Sequence, residues 1–161
     1  MKQTIFIFLA FFILLFRTTE NTLAVETPQK TEVNHVANVV EKLQEKLNLF
    51  LKFSKDDKAD YQKYLVEKRL AELKYVIDTK QGNLVEETTS RYTTYLGNYS
   101  SFVIKNKLIN KKENILSMYN NHQKILEQLQ NAFEPGSVFQ MLLQHDINTI
   151  KLFSTQIKDN L

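Results

Sequence analysis

Residues 108–137, LINKKENILSMYNNHQKILEQLQNAFEPGS, decide the fold class. Leu108, Ile115, Tyr119, His122, Leu126, Leu129 and Phe133 recur at intervals of seven, four and three, which puts them on one stripe of an α-helix. Glu134-Pro135-Gly136-Ser137 then stops that helix and starts another. Proline has no N–H to donate, glycine tolerates a left-handed turn, and Ser137 is a good N-cap.

Downstream, Val138, Met141, Leu142, Ile150, Leu152, Phe153 and Ile157 give the last helix a wide apolar stripe, suited to an element wedged between others. Upstream, the polar stretch Asn106 to Lys112 separates a third helix opened by Leu84, with Thr88, Tyr92, Tyr95, Tyr99, Phe102 and Val103 on one side. Strand is a rival there because of the Thr and Tyr content, but spacings of three and four favour helix. Gly97 is an internal weak point of this helix, costing about 1 kcal/mol against Ala. A second helix follows the Ser54 cap and the first-turn acids Asp56 and Asp57, carries Ala59, Val66, Leu70, Leu73 and Ile77, and is expected to end near a left-handed Gly82. The first runs from Thr31 to about Lys52, with Val33, Val36, Ala37, Val40, Leu43, Leu47 and Phe50 at spacings of three and four. The expected fold is therefore all-α, a bundle of four to five amphipathic helices over residues 31–161.

Composition agrees. The 161 residues include only three Gly and two Pro, too few for a turn-dense β fold or a low-complexity chain. The absence of Cys excludes disulfides, thiol nucleophiles and thiolate metal sites. A net charge of +3 is too small to argue for nucleic acid.

Residues 1–24 read as a secretory signal. Lys2 supplies the positive start, and all but one of the residues from Thr4 to Phe16 are apolar. That run suits a signal core better than a membrane span, which takes about 20 apolar residues. Thr22-Leu23-Ala24 offers small residues for cleavage before Val25. The rival reading is an uncleaved anchor, prompted by Arg17 directly after the apolar run and by the distance from there to the cut. Residues 25–30, with Pro28, form a loose leader. The expected location is extracytoplasmic: secreted, periplasmic or associated with the cell envelope.

No catalytic, cofactor or metal constellation is legible. His35, His122 and His145 fall on three different helices without metal-ligand spacing, and His122 sits on an apolar stripe where a core histidine is the usual occupant. Asp56-Asp57, Glu86-Glu87 and Glu113 lie near helix starts, where acids complement the helix dipole. The three glycines are isolated and no serine has a nucleophile-elbow setting. The one candidate binding set is aromatic and cationic: Tyr61, Tyr64, Tyr92, Tyr95 and Tyr99 with Arg69 and Arg91. Such groups can stack on sugar rings or hold an anionic polymer, although tyrosine equally suits the rim of a small core.

Phe53-Ser54-Lys55-Asp56-Asp57-Lys58-Ala59-Asp60-Tyr61, followed by Glu67-Lys68-Arg69-Leu70-Ala71-Glu72-Leu73, resembles an uncharacterised bacterial family of exported or membrane-anchored helical domains. In that family a short capped turn leads into a helix with an Arg-Leu-Ala-Glu signature. This chain departs from it at Asp57 and Asp60, where more apolar or Glu-rich residues are usual, and it lacks a Pro-rich approach to the first helix. The resemblance implies an extracytoplasmic helical domain of unknown function and supplies no catalytic residues. Within the signature Leu70 and Leu73 are expected in the core. Arg69 is expected either to pair with Glu72 at i,i+3 or, if inward, to meet a buried acid from another helix.

The function expected is non-enzymatic: a helical domain that mediates protein or cell-envelope interactions, with no cofactor. Its partner is a protein or envelope component and not nucleic acid. Membrane contact is expected only through residues 4–16 if uncleaved, and an oligomer is compatible with the amphipathic helices. A small periplasmic chaperone-like or apolar-ligand-binding protein is the alternative.

Overall fold

A computed structural model describes residues 31–161; the export segment expected at 1–24 and the leader at 25–30 lie outside the described residues. Five helices run α1 Val39–Phe50, α2 Lys55–Asp78, α3 Val85–Lys105, α4 Lys112–Gln130 and α5 Val138–Asn160, with single 3₁₀ turns at Gly82–Leu84 and Ile109–Lys111. No strand occurs among the described residues, and the all-α bundle is as expected.

Local chemistry sets the boundaries. The Ser54 hydroxyl accepts from the Asp57 N–H at 2.9 Å and starts α2, and Ser137 caps α5 through the Gln140 N–H. The first helix starts at Val39 rather than Thr31. Asn38 accepts from the Glu41 N–H while Glu41 accepts from the Asn38 N–H, a capping box that fixes the start there. The helix therefore begins at a polar pair, whatever the apolar spacing of the preceding residues.

The end of α2 also differs from expectation. Lys80, not Gly82, takes the left-handed conformation at φ 59°, and the N–H groups of Lys80 and Gln81 donate back to Ile77 and Val76. The same pair of bonds closes α3, where Lys107 has φ 51° and the N–H groups of Lys107 and Leu108 donate to Ile104 and Val103. Both ends are Schellman motifs with lysine in the place glycine favours.

The helices α2 to α5 make the core. α3 packs along α2 on one side and α5 on the other, and α4 packs along α5. Val66, Leu70 and Leu73 of α2 meet Tyr92, Leu96, Tyr99 and Val103 of α3, Ile115, Tyr119 and Leu126 of α4, and Leu143, Ile147, Ile150 and Ile157 of α5. Gly97 has a packing role that its helix cost alone does not reveal: a Cβ there would lie 3.2 Å from the Phe153 ring. The absent side chain lets α3 and α5 approach closely.

Two apolar patterns face differently from the sequence expectation. In α5, Val138, Met141 and Leu152 are exposed, so its buried stripe is narrower than expected, although the helix packs against both α3 and α4. In α1 the reversal is larger. Val40, Leu43, Leu47 and Phe50 are 73%, 67%, 55% and 77% exposed, while Glu45 on the opposite side is buried. This helix packs chiefly on α2 with its charged face inward and its apolar face in solvent.

Candidate functional site

The face of α1 that meets the bundle is built from ions. On α2, Leu65, Arg69, Glu72 and Val76 follow one another at spacings of four, three and four, a second stripe beside the apolar one, and all four are buried. A long cation and an acid on a buried stripe must find partners, because an unpaired charge costs several kcal/mol to desolvate. Glu45 of α1 supplies one. Its carboxylate accepts from the Arg69 Nη2 and, at 2.7 Å, from the Lys68 ammonium. Glu72 uses both oxygens: Oε1 accepts from Arg69 Nη1 and from the Ala37 N–H at 3.1 Å, and Oε2 accepts from Arg91 Nη2 of α3 at 3.1 Å.

The expected i,i+3 pair of Arg69 and Glu72 forms, and so does the bond to an acid from another helix. Burial opposes the Arg69 charge, and the Glu72 and Glu45 carboxylates overcome that and raise its pKa above the ordinary value. The guanidinium also lies over the Tyr95 ring, 4.7 Å from its centroid. At the outer edge Arg91 bonds Glu87 at 3.2 Å, and Lys42 of α1 approaches Glu87 at 3.8 Å. Every carboxylate oxygen of Glu45 and Glu72 is engaged, which makes this a clamp between α1, α2 and α3.

A second buried polar set is uncharged. The Tyr92 hydroxyl and His122 Nδ1 are 3.1 Å apart in the interior. Burial, with a smaller contribution from Lys63, lowers the His122 pKa to about 4, so the ring is neutral. Asp146 of α5 is buried, its Oδ2 has no hydrogen-bond partner, and burial raises its pKa to about 8. The exposed His145 comes no nearer to its Oδ1 than 3.8 Å. Tyr119 bonds Ser100, also in the interior.

The tyrosines and arginines singled out in the sequence do not share one surface. Tyr92, Tyr99 and Arg69 are buried, where no external ring or polymer reaches them. Tyr61 and Tyr64 lie together, ring centroids 5.7 Å apart, with the Lys52 ammonium 5.7 Å from the Tyr61 centroid. Tyr95 and Arg91 belong to the rim of the clamp. Tyr95 also lines an open groove of about 360 Å³ with Leu49, Gln62, Leu65 and Phe102. It lies between α1, α2 and α3, away from α5.

The feature that sequence reasoning placed wrongly is the α1 stripe. Val40, Leu43, Leu47 and Phe50 carry the three-four-three spacing of a helix-pairing seam. Val39 and Leu51 flank it, and Phe53 beyond the helix end is 91% exposed. Seven large apolar side chains are thus exposed along α1 and just beyond its end. Among the described residues no helix is long and apolar enough to cross a membrane, and no group of three or more His, Asp and Glu is placed to hold a metal ion.

Comparison with known families decides the class. Residues 39–147 match the profile of a domain of unknown function, DUF5667. The chain belongs to the DUF5667 family. The match begins at the first residue of α1 and reaches through Ile147 of α5, so the ion clamp, the outward stripe and most of the core lie within it. No curated protein and no solved structure matches the chain.

Proposed function

We propose that this DUF5667 chain is a non-enzymatic interaction module that works outside the cytoplasm. The observation that carries the reading is the outward stripe of α1. A contiguous apolar patch larger than a few hundred Å² marks a binding surface on a soluble protein, and the ion clamp holds this one in place. The export-type segment at residues 1–24 supports the location. The buried polar groups support structure rather than catalysis: the carboxylate oxygens of Glu45 and Glu72 are all engaged within the clamp, and the buried His122 and Asp146 lie away from the groove between α1, α2 and α3.

The location is tested by intact mass of the protein recovered from the soluble and membrane fractions of its source cells. A soluble species starting at Val25 supports secretion. A full-length species in the membrane makes residues 4–16 an anchor, and a full-length cytoplasmic species overturns the reading. A chaperone-like role is favoured by the same stripe, because an exposed apolar face can hold unfolded chains. No suppression of client aggregation at equimolar ratio would retire it.

A further inference from the structure

Resting on the reading of α1 as a binding face, we propose that its occupant is a second copy of this chain, with the two α1 helices paired antiparallel about Glu45.

The spacing and the size order of the side chains carry the argument. Val40, Leu43, Leu47 and Phe50 are symmetric about the middle of the helix, so a two-fold axis there sets Val40 against Phe50 and Leu43 against Leu47 of the other copy. The seam grows from Val at one end to Phe at the other. Antiparallel order therefore sets small against large at both ends with leucine against leucine between, which is how interdigitating layers reach uniform density. Parallel order would stack Phe50 on Phe50 and leave a gap between two valines. Val39 and Leu51, the flanking residues, come together in the same order.

In antiparallel order the two helix dipoles are opposed, as favours a side-by-side pair.

The area is sufficient. Val39, Val40, Leu43, Leu47, Phe50, Leu51 and Phe53 are all at least 46% exposed. At the area that a buried side chain of this size represents, they offer on the order of 500 Å² of apolar surface per copy. Homodimer interfaces are about two-thirds apolar, which corresponds to roughly 800 Å² per partner, the size of a standard stable interface. The buried clamp of Glu45, Lys68 and Arg69 presents the seam from a fixed helix, which lowers the entropy lost on pairing.

The full chain should sediment as a dimer at micromolar concentration, and Leu43→Glu with Leu47→Glu should weaken self-association at least about tenfold with unchanged helical circular dichroism. Both side chains are exposed in the single copy, so the variant keeps its fold, and it keeps residues 1–30, so any association through those persists. Orientation is read by disulfide trapping, since the chain has no cysteine of its own. A mixture of Val40→Cys and Phe50→Cys chains should cross-link between the two variants, and Phe50→Cys alone should not. The reverse result overturns antiparallel order. A monomeric wild-type chain, or a dimer that survives the double glutamate variant, overturns the proposal. A monomer that floats with phosphatidylglycerol vesicles, and loses this in the glutamate variant, assigns the face to lipid; the second copy is then excluded while the binding reading stands. A monomer that binds neither vesicles nor any envelope component removes both.

Discussion

α1 and α4 carry the same kind of apolar seam and face it in opposite directions. On α4, Ile115, Tyr119, His122, Leu126 and Leu129 are buried and the other face, with Asn121, Lys124 and Glu127, is solvated. On α1, Val40, Leu43, Leu47 and Phe50 are in solvent and Glu45 is buried. Periodicity says that a face wants covering and leaves open what covers it. The choice is made elsewhere in the chain: α2 offers α1 a buried arginine, and α5 offers α4 an apolar stripe. A helix with one acid opposite its seam can satisfy that arginine only by turning the seam outward.

The largest way to break this contrast is to remove the arginine. Arg69→Met leaves Glu45 and Glu72 buried without their shared partner, and breaking such a buried pair costs about 3–5 kcal/mol. Chemical unfolding should show that loss. Hydrogen exchange at residues 39–50 should also rise more than at α4, because α1 loses the bond that orients it. Replacing Glu45 and Glu72 by Gln in the same chain should recover part of the stability, as the two buried acids are then gone, and only part because Lys68 and Arg91 lose those carboxylates. Recovery of none would mean that the shape of the arginine, rather than its charge, holds the clamp together.

The same change on each seam sharpens the comparison. Leu126→Ala on α4 opens a cavity in the core and should cost about 2–5 kcal/mol. Leu43→Ala on α1, measured dilute enough to keep the chain monomeric, should fall within about 0.5 kcal/mol of wild type, as surface substitutions do. Similar costs at the two positions would mean that the α1 seam is buried in the single copy and that the outward orientation is wrong.

How much of this was legible follows from where each determinant lies. The α4 seam, the Ser54 and Ser137 caps and the Glu134-Pro135-Gly136-Ser137 stop are local, and each acts within a turn or two of its own position. The orientation of α1 is not local. It depends on Glu45 meeting Arg69 across 24 residues of chain, and the visible sign was only two charged residues, Arg69 and Glu72, on a stripe with Leu65 and Val76. That sign supported the inward pairing of Arg69, without naming its acid. The lysines at φ 59° and 51° were hidden for another reason: Gly82 two residues beyond Lys80 gave a better left-handed candidate, and that glycine instead opens the 3₁₀ turn at Gly82–Leu84. The tyrosines pointed to a surface because aromatic and cationic neighbours suit one. Tyr92 and Tyr99 fall on the inward stripe of α3, which the same three-four spacing already implied.

A smaller effect than loss of the arginine comes from the uncharged polar groups that α4 and α5 bury, and it carries a definite sign. Asp146 titrates near 8 in the folded chain, well above its ordinary 3.8. Between those values the unfolded chain has released a proton that the folded one keeps, so stability falls as pH rises through the window. His122 is the opposite case. Its pKa drops from 6.5 to about 4, the unfolded chain holds the extra proton between them, and stability falls as pH drops through that window. From pH 4 to 6.5 the two slopes cancel. From 6.5 to 8 Asp146 acts alone, and 1.5 pH units correspond to a loss of about 2 kcal/mol. Urea midpoints at pH 5, 6.5 and 8 should therefore be level over the first interval and fall over the second. Asp146→Asn should remove the alkaline fall and uncover the acid loss from His122, so that the midpoint drops between pH 6.5 and 5 where wild type is level. The clamp makes the contrast: paired carboxylates raise the pKa of the buried Arg69 against the cost of its burial, whereas burial without a partner drives Asp146 to its neutral form. A wild-type profile that does not fall above pH 6.5 would mean that Asp146 is ionised and paired in solution, and that α4 and α5 enclose a second clamp rather than a neutral acid.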